Sequence, residues 1–450
     1  MRSLPGENRA LVAGVVGTTA SAMPAFLTGA VAVQLTADIG LDDRTLGFCI
    51  GLFFAGAATG SAVLGRLAER LGGSGAMRTG LSLTLVAGLS LAALARSPLS
   101  LGLLLLAAGT SNALTQPAAN LLLVERMQAG RMGFAFAIKQ AGMPMASLIG
   151  GVLVPAVAVT VGWRWAYVIA GGVAVLALLA LPPNRGLGRS SPGSAAVTGG
   201  ADVRSGGADP VTGGADMGSG GADPGAGAAD VRSGGADPGA GGADVRSGGP
   251  AGASAGVATR RRPDLGTGLL VFYNLIGLLG ASAAGALTSF LVTAAEAAGV
   301  AEGPAGLLLT VGSAVGITSR IVHGRLADGP RLLPIRRVLL LFAIGAVGMA
   351  ILALDRPVTY LVGMVPVFGA GWAWPGLFNL SVVRNNPSAP AAATGISQTG
   401  IYVGAAAGPV LGGLVADTWG YPALWLLSGA VLLVAAALGQ VLRLRLRRRR

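Results

Sequence analysis

Amide side chains recur at a fixed spacing within an apolar stretch in the first half of the chain. Asn112, Gln116 and Asn120 are four residues apart, so on an α-helix they share one face. In a segment apolar enough to cross a membrane, a polar stripe is expected to face a cavity, where amides can hydrogen-bond a solute. Hydrogen bonding between neighbouring helices is an equally good interpretation of this stripe.

Two basic residues also fall within apolar stretches. Lys139 is the only lysine of the chain and is followed by Gln140, and Arg320 lies in the second half with His323 nearby. An ionisable residue inside a membrane is a candidate functional residue, and a guanidinium can bind a carboxylate or oxyanion through two hydrogen bonds. The alternative is that each long side chain extends to the membrane interface.

The acidic residues are distributed differently from these two cations. Every aspartate and glutamate falls in a predicted loop or at the end of a predicted span. Two buried cations without buried anions predict an anionic ligand. Proton-driven exporters of cationic drugs usually need a carboxylate within the bundle, and in such a carrier Glu296 or Asp417 would have to carry protons from the outer helix ends.

Comparable side chains occur in the second half of the chain. Asn379 follows Asn120 by 259 positions. The further candidates for substrate contact are Tyr273 and Asn274, Trp372 and Asn379, and Gln398 and Tyr402.

This correspondence is part of an internal repeat. The sequence GRLAE at 65–69 returns as GRLAD at 324–328, 259 positions later. Ile138 to Gly142 is echoed 258 positions on by Ile396 to Gly400, and Gly162 is matched by Gly420 at the same offset. Repeated hydrophobic halves are typical of secondary transporters, which bind substrate near the bilayer midplane between the repeats.

Composition places the chain in a membrane. It is 52% hydrophobic and 11% charged, with mean hydropathy +0.68. With about 20 apolar residues per span, the sequence predicts an all-α membrane protein of twelve spans in two six-helix bundles. The predicted spans are 10–36, 46–66, 79–95, 98–123, 134–160, 165–182, 265–293, 304–325, 336–354, 357–382, 391–416 and 422–442.

The predicted organisation has four parts. An N-terminal bundle (1–182) and a C-terminal bundle (263–442) flank a linker (183–262), and an arginine-rich tail covers 443–450. The linker repeats a 14-residue unit rich in glycine, proline and serine, which predicts disorder. Calcium binding by this repeat is the alternative, but its spacing does not match a nonapeptide array.

The basic residues predict orientation. Of 32 basic residues, only Arg44, Arg96, Arg164 and Arg356 fall in outer loops if the N-terminus is inside. We therefore predict a multi-pass protein of a bacterial-type cytoplasmic membrane with both termini cytoplasmic and the tail at anionic lipid. The arginines mark loops on one side of a membrane, so no nucleic-acid partner is expected.

The repeated loop motif resembles that of the major facilitator superfamily, G-x-L-A-[DE]-R after the second and eighth spans. The resemblance covers the chain outside the linker and implies twelve spans, alternating access and a gate contact at this motif, commonly in a monomer. It also includes an eleventh-span similarity to the exporter motif G-x(3)-G-P-x(2)-G-G, at Gly404, Gly408-Pro409 and Gly412-Gly413. The gating residues it implies are Gly65, Arg66, Glu69, Arg70, Gly324, Arg325 and Asp328.

The sequence thus predicts a carrier for a small organic anion or a polar metabolite. A proton-driven exporter of drugs or natural products is the first alternative, and a transporter-like receptor or scaffold is the second. An enzyme is not expected, since paired carboxylates and a nucleophile elbow are lacking. No cofactor or metal is expected either, because one cysteine, one histidine and the lack of a GxxxxGK[ST] loop exclude a clustered zinc site and a phosphate-binding loop.

Overall fold

The computed structural model describes residues 6–127, 135, 138–182, 266–327, 334–386 and 390–448. Within these ranges the ordered elements are all helical. Contacts divide the chain into two units, residues 1–200 with 262–450 and residues 201–261. The predicted linker and Asp328 of the second loop motif lie outside the described residues.

The helices of the first half begin at local sequence signals. The Asp42 carboxylate accepts the Thr45 N–H at 2.8 Å, and Ser97 caps the helix that starts at Pro98. The helices are α1 (Glu7–Ala30), α2 (Ala32–Ile39), α3 (Asp43–Leu94), α4 (Pro98–Arg126), α5 (Gly142–Leu153) with a π-helical turn at Val154–Ala158, and α6 (Trp163–Ala180).

The elements of the second half are also all helical within its described residues. Its helices are α7 (Thr267–Ala297), α8 (Glu302–Ala327), α9 (Pro334–Leu352), α10 (Pro357–Pro366) with a π-helical turn at Val367–Gly371, α11 (Pro375–Arg384) and α12 (Pro390–Arg448). Ten helical segments of the described chain are long and apolar enough to cross a membrane.

Two helices account for the difference between ten and the predicted twelve spans. α3 has 52 residues and α12 has 59, which at 1.5 Å per residue makes each more than twice as long as a bilayer core of about 30 Å. Each is interrupted by one glycine at positive φ, Gly72 (φ 69°) and Gly420 (φ 79°), a conformation that glycine adopts without strain. The count of twelve spans stays a prediction that these two interruptions support.

Two helix bounds add detail to the predicted spans. The tenth span, predicted over 357–382, corresponds to one apolar helical segment, Pro357–Arg384, which is broken between α10 and α11. Pro375 starts α11 and has no N–H to continue the preceding hydrogen-bond ladder. Helix α12 continues beyond residue 442, the predicted end of the twelfth span, through the arginine-rich segment to Arg448.

The first and the last helix of the first half run in opposite directions. Arg9, near the start of α1, donates to the carbonyl of Leu179 at the end of α6, whereas Asp38, beyond the end of α1, pairs with Arg164 at the start of α6. We call the end of the bundle that contains Glu7, Ala180 and Arg448 the terminal end. The opposite end, where Asp43 and Glu302 begin their helices, is the far end.

The two halves touch towards the far end. Ser313 Oγ donates to Ser147 Oγ at 3.0 Å, and Gln34 Nε2 donates to Glu302 Oε2 at 2.9 Å. Gly47 lies so close to the Pro409 carbonyl that a methyl group there would overlap it. At the terminal end the motif side chains are exposed, namely Arg66, Glu69, Arg70 and Arg325. Beside Gly65 and Gly324 there is space for a Cβ, which would meet no described atom within 4 Å.

Candidate substrate-binding site

Lys139 and Gln116 form a buried polar pair between the fourth and fifth predicted spans. The Lys139 ammonium donates to Gln116 Oε1 at 2.5 Å, and the two residues are 3% and 6% exposed. Gln116 Nε2 is buried and has no hydrogen-bond partner in the described part of the chain. The structure thus brings these two predicted residues together and leaves the Gln116 Nε2 donor available.

The first span passes alongside the fourth in a regular register. Asn112 Nδ2 donates to Ser21 Oγ at 3.0 Å, and Gly14 packs on the Leu123 side chain, 3.7 Å from a Cβ placed on the glycine. Because α1 and α4 are antiparallel, Thr18 lies between these two contacts, at the level of Gln116. Thr18 is fully buried and its hydroxyl has no partner among the described residues.

Thr18 also contacts the fifth span. A Cβ on Gly142 would lie 2.8 Å from Thr18 Cγ2, and Gly142 is three residues after Lys139, on the same helix face. Thr18, Gln116 and Lys139 therefore form one group, which we call the N-half cluster. Their unused hydrogen-bonding capacity includes ammonium, amide and hydroxyl donors, which together suit a carboxylate or another oxyanion.

Arg320, in the second half, also has a neutral hydrogen-bond partner but is only partly buried. Its Nε and Nη2 both donate to the Trp372 carbonyl, at 3.2 and 2.6 Å, and its Cζ lies 5.1 Å from the Trp372 ring centroid. The break between α10 and α11 makes this carbonyl available. The neighbouring Ser319 hydroxyl donates to the Gly369 carbonyl of the same break.

Trp372 connects this arginine to the other half. Its ring centroid is 6.1 Å from that of Phe26 in α1, and the residue is 7% exposed. Arg320 therefore lies beside the crevice between the two halves. Sequence reasoning did not select Phe26, since a phenylalanine in an apolar span gives no signal of its own.

Several predicted residues serve helix packing instead. Tyr273 shares a 2.7 Å hydrogen bond with Ser381, and Asn274 Nδ2 donates to the Ile396 carbonyl at 2.8 Å. Both contacts join the seventh span to its neighbours within the second half. Helix association, the alternative interpretation of buried amides, accounts for these two residues.

The remaining candidates are spread out. Asn120 and Gln140 are exposed on the terminal side of the N-half cluster. Gln398 and Tyr402 hydrogen-bond each other, one turn apart. Asn379 Oδ1 is buried without a partner in the described chain.

The glycines of the eleventh span are explained by close packing. Gly404 and Gly408 lie against the backbone of Leu278 and Ser282 in α7, where a methyl group would overlap their carbonyl oxygens. This packing within one half would be needed whatever the direction of transport. The exporter resemblance is therefore accounted for without reference to export.

A carboxylate from the fourth span caps the helix that follows the loop motif. Glu125 Oε1 accepts the Gly73 N–H at 2.8 Å, where the chain resumes the helix after Gly72. A negative charge at a helix start is favourable. Glu69, the acid of the loop motif itself, is exposed.

Acidic residues at the far end show opposite pKa shifts. Hydrogen bonds from Arg164 and Trp163 lower the pKa of Asp38. Burial raises the pKa of Asp43, which lies ahead of the apolar run starting at Leu46 and hydrogen-bonds Tyr421 across the contact between the halves. No group of three or more His, Cys, Asp or Glu that could hold a metal occurs among the described residues.

The chain matches the sequence profile of the Major Facilitator Superfamily at residues 11–387 and 273–450. Its fold is similar to that of a bacterial homologue of the human lysosomal transporter Spinster, in an inward-facing and unoccupied conformation. That match has a TM-score of 0.68 and 16% identity, and covers 100% of this chain and 99% of that one. The nucleoside transporter NupG matches with a TM-score of 0.64 and 12% identity, over 98% and 99% of the two chains. No curated protein matches the sequence.

Proposed function

Because the chain belongs to the major facilitator superfamily, we propose that it is a secondary transporter that moves a small organic anion or a polar metabolite by alternating access. One observation carries the substrate class: Lys139 and Arg320, one in each half, both have neutral hydrogen-bond partners in the described chain. A desolvated cation with neutral partners is stabilised further by an anion.

The two cations would bind an anion in different ways. Lys139 supplies a point charge supported by the donors of Gln116 and Thr18, which can surround a carboxylate oxygen. Arg320 supplies a planar fork, which can bind two oxygens at once. Asn112 holds the first span through Ser21 and so positions Thr18.

The described arrangement supports a conformation open towards the terminal end. The contacts between Ser147 and Ser313 and between Gln34 and Glu302 close the far end. We place the terminal end in the cytoplasm, since most arginines lie there. The tail would then meet anionic lipid through residues such as Arg445, whose guanidinium lies 4.7 Å from the Phe272 ring centroid.

A thermal-shift screen of the purified protein in detergent tests the substrate class. The probes are acetate, lactate, succinate, phosphate and nitrate, with ethidium as a cationic drug. A ligand at 100 times its dissociation constant stabilises by about 2.7 kcal/mol. We expect stabilisation by at least one carboxylate, and its loss in both Lys139→Gln and Arg320→Gln.

Arg96→Gln is the matched control, because Arg96 is an exposed cation outside the bundle. It should leave the anion response unchanged. Stabilisation by ethidium that survives both Gln variants would reject the anion carrier and favour the proton-driven exporter. Ligand binding without any transport in liposomes would favour the receptor or scaffold alternative.

A further inference from the structure

We propose that this carrier is an anion exchanger, in which Lys139 and Arg320 come to face each other as the terminal end closes and an anion between them is required for that closure. This rests on the proposed function, because it assumes that both side chains bind the transported anion.

The fifth and eighth spans pair across the two halves in a regular antiparallel register. From the far end inwards, a Cβ on Gly303 would lie 3.4 Å from Pro155 Cβ, and Ser313 bonds Ser147 at 3.0 Å. Between these contacts Thr310 Oγ1 reaches the Leu148 carbonyl at 3.4 Å. Moving towards the terminal end, the residue number falls on the fifth span as it rises on the eighth.

Two more turns along each helix lead to the two cations. Lys139 precedes Ser147 by eight residues and Arg320 follows Ser313 by seven, and two α-helical turns contain about 7.2 residues. Ile138, Lys139 and Gln140 are helical, and Ala141 joins them to α5 as a turn residue with right-handed helical φ and ψ. Lys139 and Arg320 therefore occupy matching levels of this helix pair, one in each half.

In the described conformation each cation bonds within its own half. Lys139 bonds Gln116, and Arg320 bonds the Trp372 carbonyl. Closing the terminal end requires the fifth and eighth spans to pack against each other there in the same register. This packing would bring the Lys139 ammonium and the Arg320 guanidinium together. Their neutral partners would not cancel the repulsion, which grows as water is excluded.

A bound anion removes this obstacle. A carboxylate between the two cations converts one repulsion into two attractions, so the loaded carrier can close its terminal end. The empty carrier stays open there. The carrier can then reopen towards the far side only with an anion bound. Each anion carried inward must therefore be followed by another anion carried outward, which is exchange without net flux.

A distance measurement that needs no ligand tests the closing step. Spin labels are placed on cysteines at Val124 and Val383, exposed residues near the terminal ends of α4 and α11, after Cys49→Ala removes the single native cysteine. Without anion, the parent should show only the long distance. Lys139→Gln and Arg320→Gln should each add a shorter population, and Lys139→Arg should not.

A short distance in the ligand-free parent would overturn the proposal. So would the lack of a short distance in both Gln variants when size-exclusion chromatography shows them folded. Neither result depends on which anion is transported, so the proposed function could still hold.

A flux measurement tests exchange directly. Liposomes containing the protein take up radiolabelled succinate, after loading with unlabelled succinate or with neutral buffer. We expect at least tenfold faster uptake into loaded vesicles, and no uptake above that of protein-free vesicles for Lys139→Gln, which has lost anion binding. Equal uptake by empty vesicles would reject exchange while supporting the carrier. If succinate is not taken up at all, succinate is excluded as a substrate of the proposed carrier. The distance measurement then tests the closing mechanism by itself.

Discussion

Ser313 donates a hydrogen bond to Ser147 across the two halves of the bundle. The two oxygens are 3.0 Å apart, and both residues are fully buried. The bond lies about midway along the fifth and eighth spans and continues the contacts that close the far end. It belongs to the contacts that must break when the carrier opens to the other side.

Replacing one of these serines should weaken the closed far end. Ser313→Ala leaves the Ser147 hydroxyl buried without this partner, which costs about 1–3 kcal/mol. We expect a lower melting temperature in detergent. The double variant Ser147→Ala with Ser313→Ala removes both partners and should melt close to the parent. Equal losses in the single and double variants would contradict this account.

Replacing Lys139 should stabilise the protein while abolishing anion binding. The ammonium is 3% exposed and has a neutral partner, so its desolvation is only partly compensated, a penalty of several kcal/mol. Lys139→Met keeps the length of the side chain and removes the charge. We expect a melting temperature about 2–4 °C higher for each kcal/mol gained, and no response to carboxylates. A lower melting temperature would show that the charge is compensated in the native state.

Gly47 should be required for closing the far end. A methyl group at this position would overlap the Pro409 carbonyl of the other half, so Gly47→Ala should favour conformations open at the far end and slow transport in liposomes by at least tenfold. Gly172 is the control, because a Cβ there would meet no described atom within 4 Å. Gly172→Ala should leave transport intact and gain up to about 1 kcal/mol of helix stability. Normal transport by Gly47→Ala would show that the contact is dispensable.

Glu125 should stabilise the start of the helix after Gly72. Glu125→Gln removes the charge that accepts the Gly73 N–H at 2.8 Å, and we expect a loss of about 0.5–1 kcal/mol with faster hydrogen exchange at residues 72–76. Glu69→Gln alters an exposed side chain and should change exchange there by less. A larger effect of Glu69→Gln would contradict the assignment of the cap to Glu125.

Asp43 should make closure of the far end depend on pH. Burial raises its pKa, Asp417 and Asp42 raise it further, and the bond to Tyr421 opposes this shift. A raised pKa means that the protonated form stabilises the closed state. This stabilisation is complete below the usual pKa of about 3.9 and is lost as the pH rises through the raised value.

The melting temperature relative to Asp43→Asn should therefore fall as the pH rises above about 3.9. Asp42 is the control of opposite sign, because its bonds to Thr45 lower its pKa. The stability that the ionised Asp42 carboxylate contributes, measured relative to Asp42→Asn, should be lost as the pH falls. If the difference in melting temperature between the parent and Asp43→Asn does not change with pH, Asp43 does not make the closed far end depend on pH.

The sequence predicted the helical membrane fold because apolar length and internal repetition are written along the chain. The echo of Gly65 in Gly324 and of Gly162 in Gly420 indicated two related halves, and Gly420 is indeed where α12 is interrupted. The broken tenth span was missed, although Pro366 and Pro375 mark its two sides. Apolar composition alone does not distinguish a continuous helix from a broken one.

Lys139, Arg320 and Gln116 could be selected from sequence because charge and amide groups are rare inside apolar spans. The partner of each could not, since hydrogen bonds depend on how helices from distant parts of the chain are rotated and shifted against each other. Only the tertiary structure pairs Lys139 with Gln116 and brings Thr18 to their level. Only the register of the fifth and eighth spans places Lys139 and Arg320 at matching heights, because helix packing, rather than composition, fixes which residues of two halves can meet.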